Sequence, residues 1–557
     1  MAEALRAVTS PQRPPLWALP ALVFGVPLLA ALWLGVGQAL DATAWSRLFA
    51  DSQFAPALQL SVWVGSVSTL LSLAATLWFV TRLHGTPTWL RIQASLGGLL
   101  AVPHAAFAVG LLLLLMPSGF LSRLLALVTG WASPPDIATV QDPAGLALIF
   151  GLVLKEVPFL LWNVAAQLQR VGQGAELTRQ LQVAATLGYS PATAWARVLW
   201  PQLLPRLALP LLAVWAYGFT VVDMALVLGP TRPPTLAVLA WQWLQDADDA
   251  TNRQGAAAAL LLTGVMAAAA LGAMLAWRAV RPALRRRWTR GDRPVAVARR
   301  FNPLPAAAAT VYAAVLALLL FTSLVGVWSY PALWPARWSF DAWQTVAASL
   351  PTLGVTALLA VLSASTGLLL AVAWMETTPA HWDARAAWGV FVPMLVPGVL
   401  LVSGLYHVTL ALRLDGTLGG LWLAHSLYVA PYMLVTLAPA YRSFDVRMEQ
   451  TAHALGRSHA AFLWRVKWPM LLAPLASSFA VGFAVSVTQY LSTQFIGAGR
   501  HASVTTEALT LASGGQRNLA AAFAVLQGAL PAAVFAAAWW LGRHQARTLA
   551  SHSSAGA

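Results

Sequence analysis

The sequence predicts an all-α polytopic membrane protein, with about 12 transmembrane helices in two parallel, homologous six-helix halves. Three observations predict this class. Hydrophobic residues make up 59% of the 557 residues and charged residues only 10%, whereas charged residues are about 25% of a typical soluble domain. Apolar runs of membrane-spanning length recur along the whole chain, and a segment of the first half is repeated in the second.

The apolar runs account for most of the chain. A bilayer-spanning helix needs roughly 20 apolar residues, and each run is bounded by Pro, Gly or charged residues. In order, the runs are 16–36, 58–80, 92–116, 146–166, 203–228, 256–276, 306–327, 346–374, 386–410, 418–437, 471–490 and 520–540. The short connections between them leave no room for a large soluble domain.

The charged residues divide unequally between the two sides of the membrane. If the N-terminus is cytoplasmic, segments on that side hold 24 basic and 7 acidic residues, and segments on the other side hold 8 and 10. An excess of Lys and Arg on the cytoplasmic side orients multi-pass proteins. The charge pattern therefore predicts cytoplasmic termini, and it explains the net charge of +15 without a nucleic-acid partner.

The largest basic block lies between the sixth and seventh apolar runs. Residues 278–300 contain nine Arg and one Asp, which is typical of a cytoplasmic segment at the lipid headgroups. We therefore expect a first transmembrane domain at 1–277, an Arg-rich cytoplasmic linker at 278–305 and a second transmembrane domain at 306–557. Cysteine is absent, so the chain forms no disulfides.

An internal repeat relates the two halves. At an offset of 268 residues, segment 182–204 aligns with segment 450–472, and twelve of the 23 positions are identical. The aligned sequences are QVAATLGYSPATAWARVLWPQLL and QTAHALGRSHAAFLWRVKWPMLL. Both segments lie between the fourth and fifth runs of their half, on the predicted cytoplasmic side. An even number of helices separates them, so the halves are parallel repeats. Within each segment, we expect two short helices that meet at a glycine, Gly188 or Gly456.

The repeated segments resemble the EAA loop of ABC importer permeases, in which two short coupling helices dock on an ATPase subunit. The positions that match the motif are Ala184, Leu187, Gly188 and Pro201 in the first copy, and Ala452, Leu455, Gly456 and Pro469 in the second. The family usually has Glu where this chain has Gln182 and Gln450, so a hydrogen bond would replace an ionic contact to the ATPase. The resemblance covers both halves of the chain.

The resemblance implies that the chain is the permease subunit of a bacterial inner-membrane importer, similar to the fused permeases for iron(III) and thiamine. It further implies alternating access, two copies of an ABC ATPase subunit, and an extracytoplasmic solute-binding protein that delivers a small polar solute or ion. The chain itself is then not an enzyme. Its two lysines, Lys155 and Lys467, do not follow a glycine-rich GxxxxG sequence, so ATP is expected to be used by the partner subunits.

Two charged residues lie near the middle of the fourth apolar run. Lys155 and Glu156 are neighbours in a region where a charge costs about 2.5 to 3.5 kcal/mol on insertion scales. Two interpretations stay open, a buried structural charge pair and a gate on the transport pathway. Catalytic residues are not expected, and neither is a metal or a cofactor bound by this chain, because His453, His459 and His501 lack metal-ligand spacing in the sequence.

Two alternatives remain at this point. A secondary transporter of the major facilitator type also has twelve helices in two parallel halves with a basic central loop, so architecture alone does not separate the classes. Against it, residues 81–91 lack the Gly- and Asp-containing motif of that family, and the repeated loop has no use there. A non-transport membrane scaffold is the other alternative.

Overall fold

A computed structural model of the chain describes residues 18–169, 173–291 and 304–555. Helices dominate this part of the chain, and its β pairing is limited to one isolated bridge between Val325 and Trp338. The helices before the linker are α1 Ala18–Gln38, α2 Ala42–Ala50, α3 Phe54–Leu83, α4 Pro87–Ala101, α5 His104–Leu115, α6 Phe120–Thr129, α7 Leu146–Gln169, α8 Gln173–Thr186, α9 Pro191–Ala194, α10 Trp200–Leu203, α11 Ala208–Thr220, α12 Asp223–Leu228, α13 Leu236–Leu244 and α14 Asp249–Trp288.

The helices after the linker repeat much of this order. They are α15 Leu304–Ser323, α16 Asp341–Ala348, α17 Leu350–Thr377, α18 Asp383–Leu395, α19 Gly398–Ala411, α20 Leu418–Arg442, α21 Val446–Ala454, α22 His459–Phe462, α23 Trp468–Met470, α24 Leu472–Val487, α25 Leu491–Gly497, α26 Val504–Ser513 and α27 Arg517–Ala555. Short 3₁₀ segments lie at Leu204–Leu207 and Ala380–Trp382, and π-helical segments lie at Trp195–Leu199 and Leu463–Lys467.

The prediction of an all-α polytopic membrane protein is confirmed. Within the described residues, ten helices are long and apolar enough to cross a membrane, or eleven if a pair bent by 76° at Leu471 counts as one span. The predicted number was about twelve. The difference is the run 386–410, which the structure divides into α18 and α19 at Val396 and Pro397.

Proline explains this break and a similar break in the first half. Val396 and Val102 both have extended backbones, with ψ of 137° and 122°, and each precedes a proline. A residue before proline avoids the helical region, and proline has no N–H to continue the helix. The predicted run 92–116 is therefore two helices, α4 and α5, that meet at Pro103.

The described helices form two compact units that cut across the two sequence halves. Unit 1 lies within Met1–Gly37, Leu350–Thr506 and Ala529–Ala557, and unit 2 within Gln38–Ser349 and Glu507–Gly528. The first helix of each half is thus packed with helices of the other half. The predicted domains 1–277 and 306–557 follow the sequence repeat, and the packing units do not have those boundaries.

In unit 1, α1 packs closely against α19. A Cβ atom added to Gly404 would lie 1.7 Å from the carbonyl oxygen of Ala31, and one added to Gly35 would lie 2.8 Å from that of Leu400. Glycine on both helices therefore permits backbone contact, as is common between membrane helices. Leu28 and Ala31 are buried in the same apolar cluster as Leu401.

In unit 2, the corresponding helix of the second half, α15, packs against α5. A Cβ atom at Gly110 would lie 2.7 Å from Val315 Cγ1 and 2.9 Å from Leu319 Cγ. Gly110 and Gly404 thus have the same role in their units, since each lets the first helix of the other half pack closely against its own helix.

The predicted linker is helical where the structure describes it. Helix α14 continues through Arg278 to Trp288, and its last turn contains Arg285, Arg286 and Arg287. These cations lie at the negative end of the helix dipole, which stabilises them there. Residues 292–303 of the predicted linker lie outside the described part of the chain.

Candidate functional site: the two repeated loops

The repeat corresponds to two loops with the same backbone course, which we name loop 1 (residues 173–204) and loop 2 (residues 446–472). In loop 1, α8 ends at Thr186 and the chain turns at Gly188, whose φ of +80° lies in the left-handed region. The N–H of Gly188 donates to the carbonyl of Ala185, and that of Tyr189 donates to the carbonyl of Ala184, each at 3.0 Å. These two bonds define a Schellman C-cap.

Loop 2 has the same cap at the equivalent positions. Gly456 has a φ of +71°. Its N–H donates to the carbonyl of His453 at 2.9 Å, and the N–H of Arg457 donates to that of Ala452 at 3.0 Å. The expected glycine turn between two short helices is therefore present in both loops. Ala184 and Ala452, the small residues of the motif, are the buried acceptors of these caps.

The second part of each loop also has matching geometry. Ser190 caps α9 by accepting from the N–H of Thr193, and Ser458 caps α22 by accepting from the N–H of Ala461, each at 3.2 Å. A five-residue π-helical segment follows in both loops and ends at the Trp-Pro pair. π-Helical turns are rare and occur often at functional sites. The halves therefore share a three-dimensional feature as well as a sequence motif.

Loop 1 is fixed to unit 2 through its tryptophans. Trp195 and Trp200 are buried in an apolar cluster with Leu177 and Trp89, and Nε1 of Trp200 donates to the hydroxyl of Thr81 at 2.9 Å. These contacts attach the loop to the apolar core of its unit. The guanidinium of Arg197 donates to the carbonyl of Arg290, which lies just beyond α14.

Loop 2 is fixed to unit 1 through Glu376, a partly buried acid that was not among the predicted site residues. Nζ of Lys467 lies 2.5 Å from Oε1 of Glu376, to which the hydroxyl of Tyr441 also donates at 2.6 Å. Nε1 of Trp468 donates to that same hydroxyl at 3.0 Å. Glu376 lies 91 positions from Lys467 in the chain, so no local pattern indicates the contact.

The residues that match the motif differ in exposure. Leu187 is 53% exposed and Leu455 is 74% exposed, although both are large apolar residues beside the glycine turn. Gln182 and Gln450 are also exposed. Pro201 in α10 is partly buried, and Pro469 in α23 is exposed. Each loop therefore presents one leucine and one glutamine outward, a few residues apart.

Lys155 donates hydrogen bonds to backbone carbonyls at the break between α4 and α5. Its ammonium lies 2.6 Å from the carbonyl of Val102 and 3.3 Å from that of Leu99. In a continuous helix, residue 103 would donate to Leu99, but proline has no N–H. Lys155 and the hydroxyl of Tyr312, at 3.2 Å, supply donors to the Leu99 carbonyl instead. This geometry favours a structural role for Lys155.

Glu156 faces a different set of partners. Its Oε1 lies 3.5 Å from Nε2 of His104, the first residue of α5, and the His104 ring lies 4.8 Å from the ring of Tyr217. Lys155 and Glu156 are both buried in unit 2. A role for either of them as a gate stays a prediction.

The fold and the loops together define a class. It is a helical membrane protein whose two halves contain the same glycine-capped helix–turn–helix loop, which is the architecture of a duplicated membrane subunit. The comparisons with known proteins identify the family. The chain is 36% identical over 536 residues to the inner membrane ABC transporter permease protein YnjC of Escherichia coli (strain K12), across 95% of this chain and 96% of that protein. The chain therefore belongs to the ABC transporter permeases.

More distant relatives match parts of the chain. The spermidine/putrescine transport system permease protein PotC of Haemophilus influenzae is 26% identical over 106 residues, which are 19% of this chain and 41% of that protein. The putrescine transport system permease protein PotI of Escherichia coli (strain K12) is 23% identical over 201 residues, 33% of this chain and 70% of that protein. No protein-family model matches the chain. Family membership confirms the predicted resemblance and excludes the major facilitator alternative.

Proposed function

We propose that the chain is the membrane-spanning subunit of an ABC importer and that loops 1 and 2 transmit the force of ATP hydrolysis to it. The observation that carries this proposal is the matching geometry of the two loops. Each has a left-handed glycine, a Schellman cap and an exposed leucine at equivalent positions. A packed apolar core does not need an exposed leucine, whereas a partner groove does.

The partners follow from the two loops. Each loop docks one ATPase subunit, so the complex contains two copies, and these subunits bind and hydrolyse ATP. In each contact, Leu187 or Leu455 fills an apolar pocket, and Gln182 or Gln450 forms a hydrogen bond at its edge. Because both loops are fixed to their units by partly buried hydrogen bonds, a movement of the ATPase moves the helices with it. The pathway then opens alternately to the two sides of the membrane.

The orientation and location belong to the same proposal. The charge distribution of the sequence supports cytoplasmic termini and places loops 1 and 2 in the cytoplasm. The full-length relative is named an inner membrane protein, which supports the bacterial inner membrane for this chain. An extracytoplasmic solute-binding protein then delivers the substrate from the opposite side.

The substrate that we propose is a small polar solute or ion. The resemblance to fused permeases favours an iron(III)- or thiamine-type substrate, whereas the names of the partial relatives favour spermidine and putrescine. These solutes are polar and often charged, so they need a transporter to cross the bilayer. Uptake of each labelled solute by cells with and without the gene is the measurement that selects among them.

Affinity purification of the tagged chain tests the proposal about the loops. From detergent-solubilised membranes, we expect a stoichiometric ATPase subunit and vanadate-sensitive ATP hydrolysis. The double variant Leu187→Asp with Leu455→Asp places a charge in each apolar contact and should lose most of the bound ATPase. Ile137→Asp is the matched control, because Ile137 is 57% exposed and lies in neither loop. A wild-type chain that purifies alone, or a double variant that keeps its ATPase, contradicts the proposal.

A further inference from the structure

Loop 2 contains a cluster of one carboxylate and two imidazoles that the coupling role does not use. Glu449 and His453 lie one turn apart on α21, and His459 begins α22 on the other side of the Gly456 turn. Oε1 of Glu449 lies 3.6 Å from Nε2 of His453 and 2.9 Å from Nδ1 of His459. One ligand atom from each residue fits within a 4.8 Å limit for every pair.

One nitrogen of each imidazole faces Glu449, and the other nitrogen lies near an oxygen on the far side of the ring. Nδ1 of His453 lies 3.1 Å from the carbonyl oxygen of Arg457. A carbonyl only accepts, so Nδ1 carries the hydrogen and the lone pair of Nε2 points toward Glu449. Nε2 of His459 lies 3.4 Å from Oε2 of Glu376. Nδ1 of His459 donates to Oε1 of Glu449 at 2.9 Å when it carries the ring hydrogen, since a carboxylate only accepts. When Nε2 carries that hydrogen instead and donates to Glu376, the lone pair of Nδ1 faces Glu449.

This arrangement has the two shells of a metal site. Three atoms that can act as ligands lie close together. The opposite nitrogen of each imidazole lies near a carbonyl or a carboxylate oxygen, which is how metal-binding histidines are usually oriented. A tetrahedral zinc ion with bonds of about 2.0 to 2.1 Å separates its ligand atoms by about 3.3 Å. The measured separations of 2.9 and 3.6 Å lie on either side of that value.

We propose that Glu449, His453 and His459 bind one zinc-type divalent transition-metal ion. Two nitrogens and one carboxylate oxygen are the donors that zinc prefers, and three protein ligands leave a fourth position for water. Side-chain exposures of 31%, 46% and 27% allow the ion to enter from solvent. The bound ion cross-links α21 to α22 across Gly456 and so fixes the angle of the turn in loop 2.

The site belongs to loop 2 alone. At the offset of 268, the equivalent positions in loop 1 are Leu181, Ala185 and Pro191, which offer no ligand side chain. The proposal departs from the expectation that the chain binds no metal. That expectation was based on the spacing of the histidines in the sequence. It did not include Glu449, or the turn that places His459 next to α21.

Metal binding to the purified full-length chain tests the proposal without any partner subunit. The chain is purified through a tag that lacks histidine, treated with a chelator and titrated with Co²⁺, whose visible absorption reports tetrahedral coordination. We expect one Co²⁺ per chain, displaced by one Zn²⁺. His453→Ala and Glu449→Leu, which introduce the loop 1 residues, should each weaken binding by at least tenfold. His501→Ala, which removes a histidine outside the cluster, should bind as the wild type does.

A cysteine variant separates loss of a ligand from loss of the fold. The chain contains no cysteine, so His453→Cys introduces a single thiolate at a ligand position. We expect this variant to recover Co²⁺ binding and to add a sulfur-to-cobalt charge-transfer band. A wild-type chain without a tetrahedral Co²⁺ spectrum overturns the proposal, and so does a His453→Ala variant with unchanged affinity.

Discussion

Substitution of Gly456 tests whether the left-handed turn of loop 2 is needed for coupling. Gly456 has a φ of +71°, and a Cβ atom added there would meet no other atom within 4 Å. A substitution at this position therefore changes the backbone preference without causing a steric clash. Valine disfavours the left-handed region strongly, whereas asparagine occupies it more readily.

The expected loss of affinity for the ATPase follows from the free-energy cost of the left-handed backbone conformation alone. A side chain with a Cβ atom in the left-handed region costs roughly 1 to 2 kcal/mol. That cost lowers the equilibrium constant between the correct turn and other conformations by about 5- to 30-fold. A partner that binds only this turn therefore loses apparent affinity by up to the same factor. Gly456→Val should therefore raise the apparent dissociation constant of the ATPase subunit by up to about 30-fold, and Gly456→Asn should raise it much less.

The assay is a titration of purified ATPase subunit onto the chain in nanodiscs, with bound ATPase measured at each concentration. Loop 1 is unchanged in both variants, so the contrast between valine and asparagine isolates loop 2. Equal affinity of Gly456→Val and the wild type would refute the reasoning. An equal loss in the valine and asparagine variants would also refute it, because the left-handed conformation would then not be the cause.

Two further substitutions test the packing that positions the loops. Lys155→Met leaves the Val102 carbonyl without the Lys155 donor, at a cost of about 1 to 3 kcal/mol. The melting temperature in detergent should therefore fall, and that of the control Glu156→Gln should change less. Equal melting temperatures of Lys155→Met and the wild type would contradict the structural role of Lys155. Gly404→Ala should also destabilise the chain, because its Cβ would lie 1.7 Å from the Ala31 carbonyl oxygen, whereas Gly354→Ala, which meets nothing within 4 Å, should be neutral or slightly stabilising. A stable Gly404→Ala variant would show that α1 does not pack closely on α19.

The membrane-spanning segments were predictable from sequence because length and apolar composition suffice to define them. Ten of the twelve predicted runs overlap helices that qualify as spans, and the run 471–490 overlaps the second arm of the bent pair. The breaks at Pro103 and Pro397 divide two runs, since apolar composition does not distinguish a continuous helix from one interrupted at proline. Helix type was therefore easier to predict than helix continuity.

The glycine turns of the loops were also predictable, because Gly188 and Gly456 occur at the same place in two similar segments and glycine favours left-handed caps. The packing of α1 with helices of the second half, and of α15 with helices of the first half, was not predictable. A repeat shows which helices are equivalent, but it does not show which helices pack together. The contacts of Glu376 with Lys467 and His459 depend on this tertiary packing, so no sequence spacing indicates them.

Site-specific cross-linking tests the central claim most directly. The chain has no cysteine, so Leu187→Cys and Leu455→Cys each introduce one thiol at an exposed position of a loop, and Ile137→Cys provides an exposed control. With a short thiol-reactive cross-linker and the co-expressed ATPase, we expect a covalent adduct for both loop variants and none for the control. Absence of the adduct from both loops, in a complex that still contains the ATPase, would contradict docking at the loops.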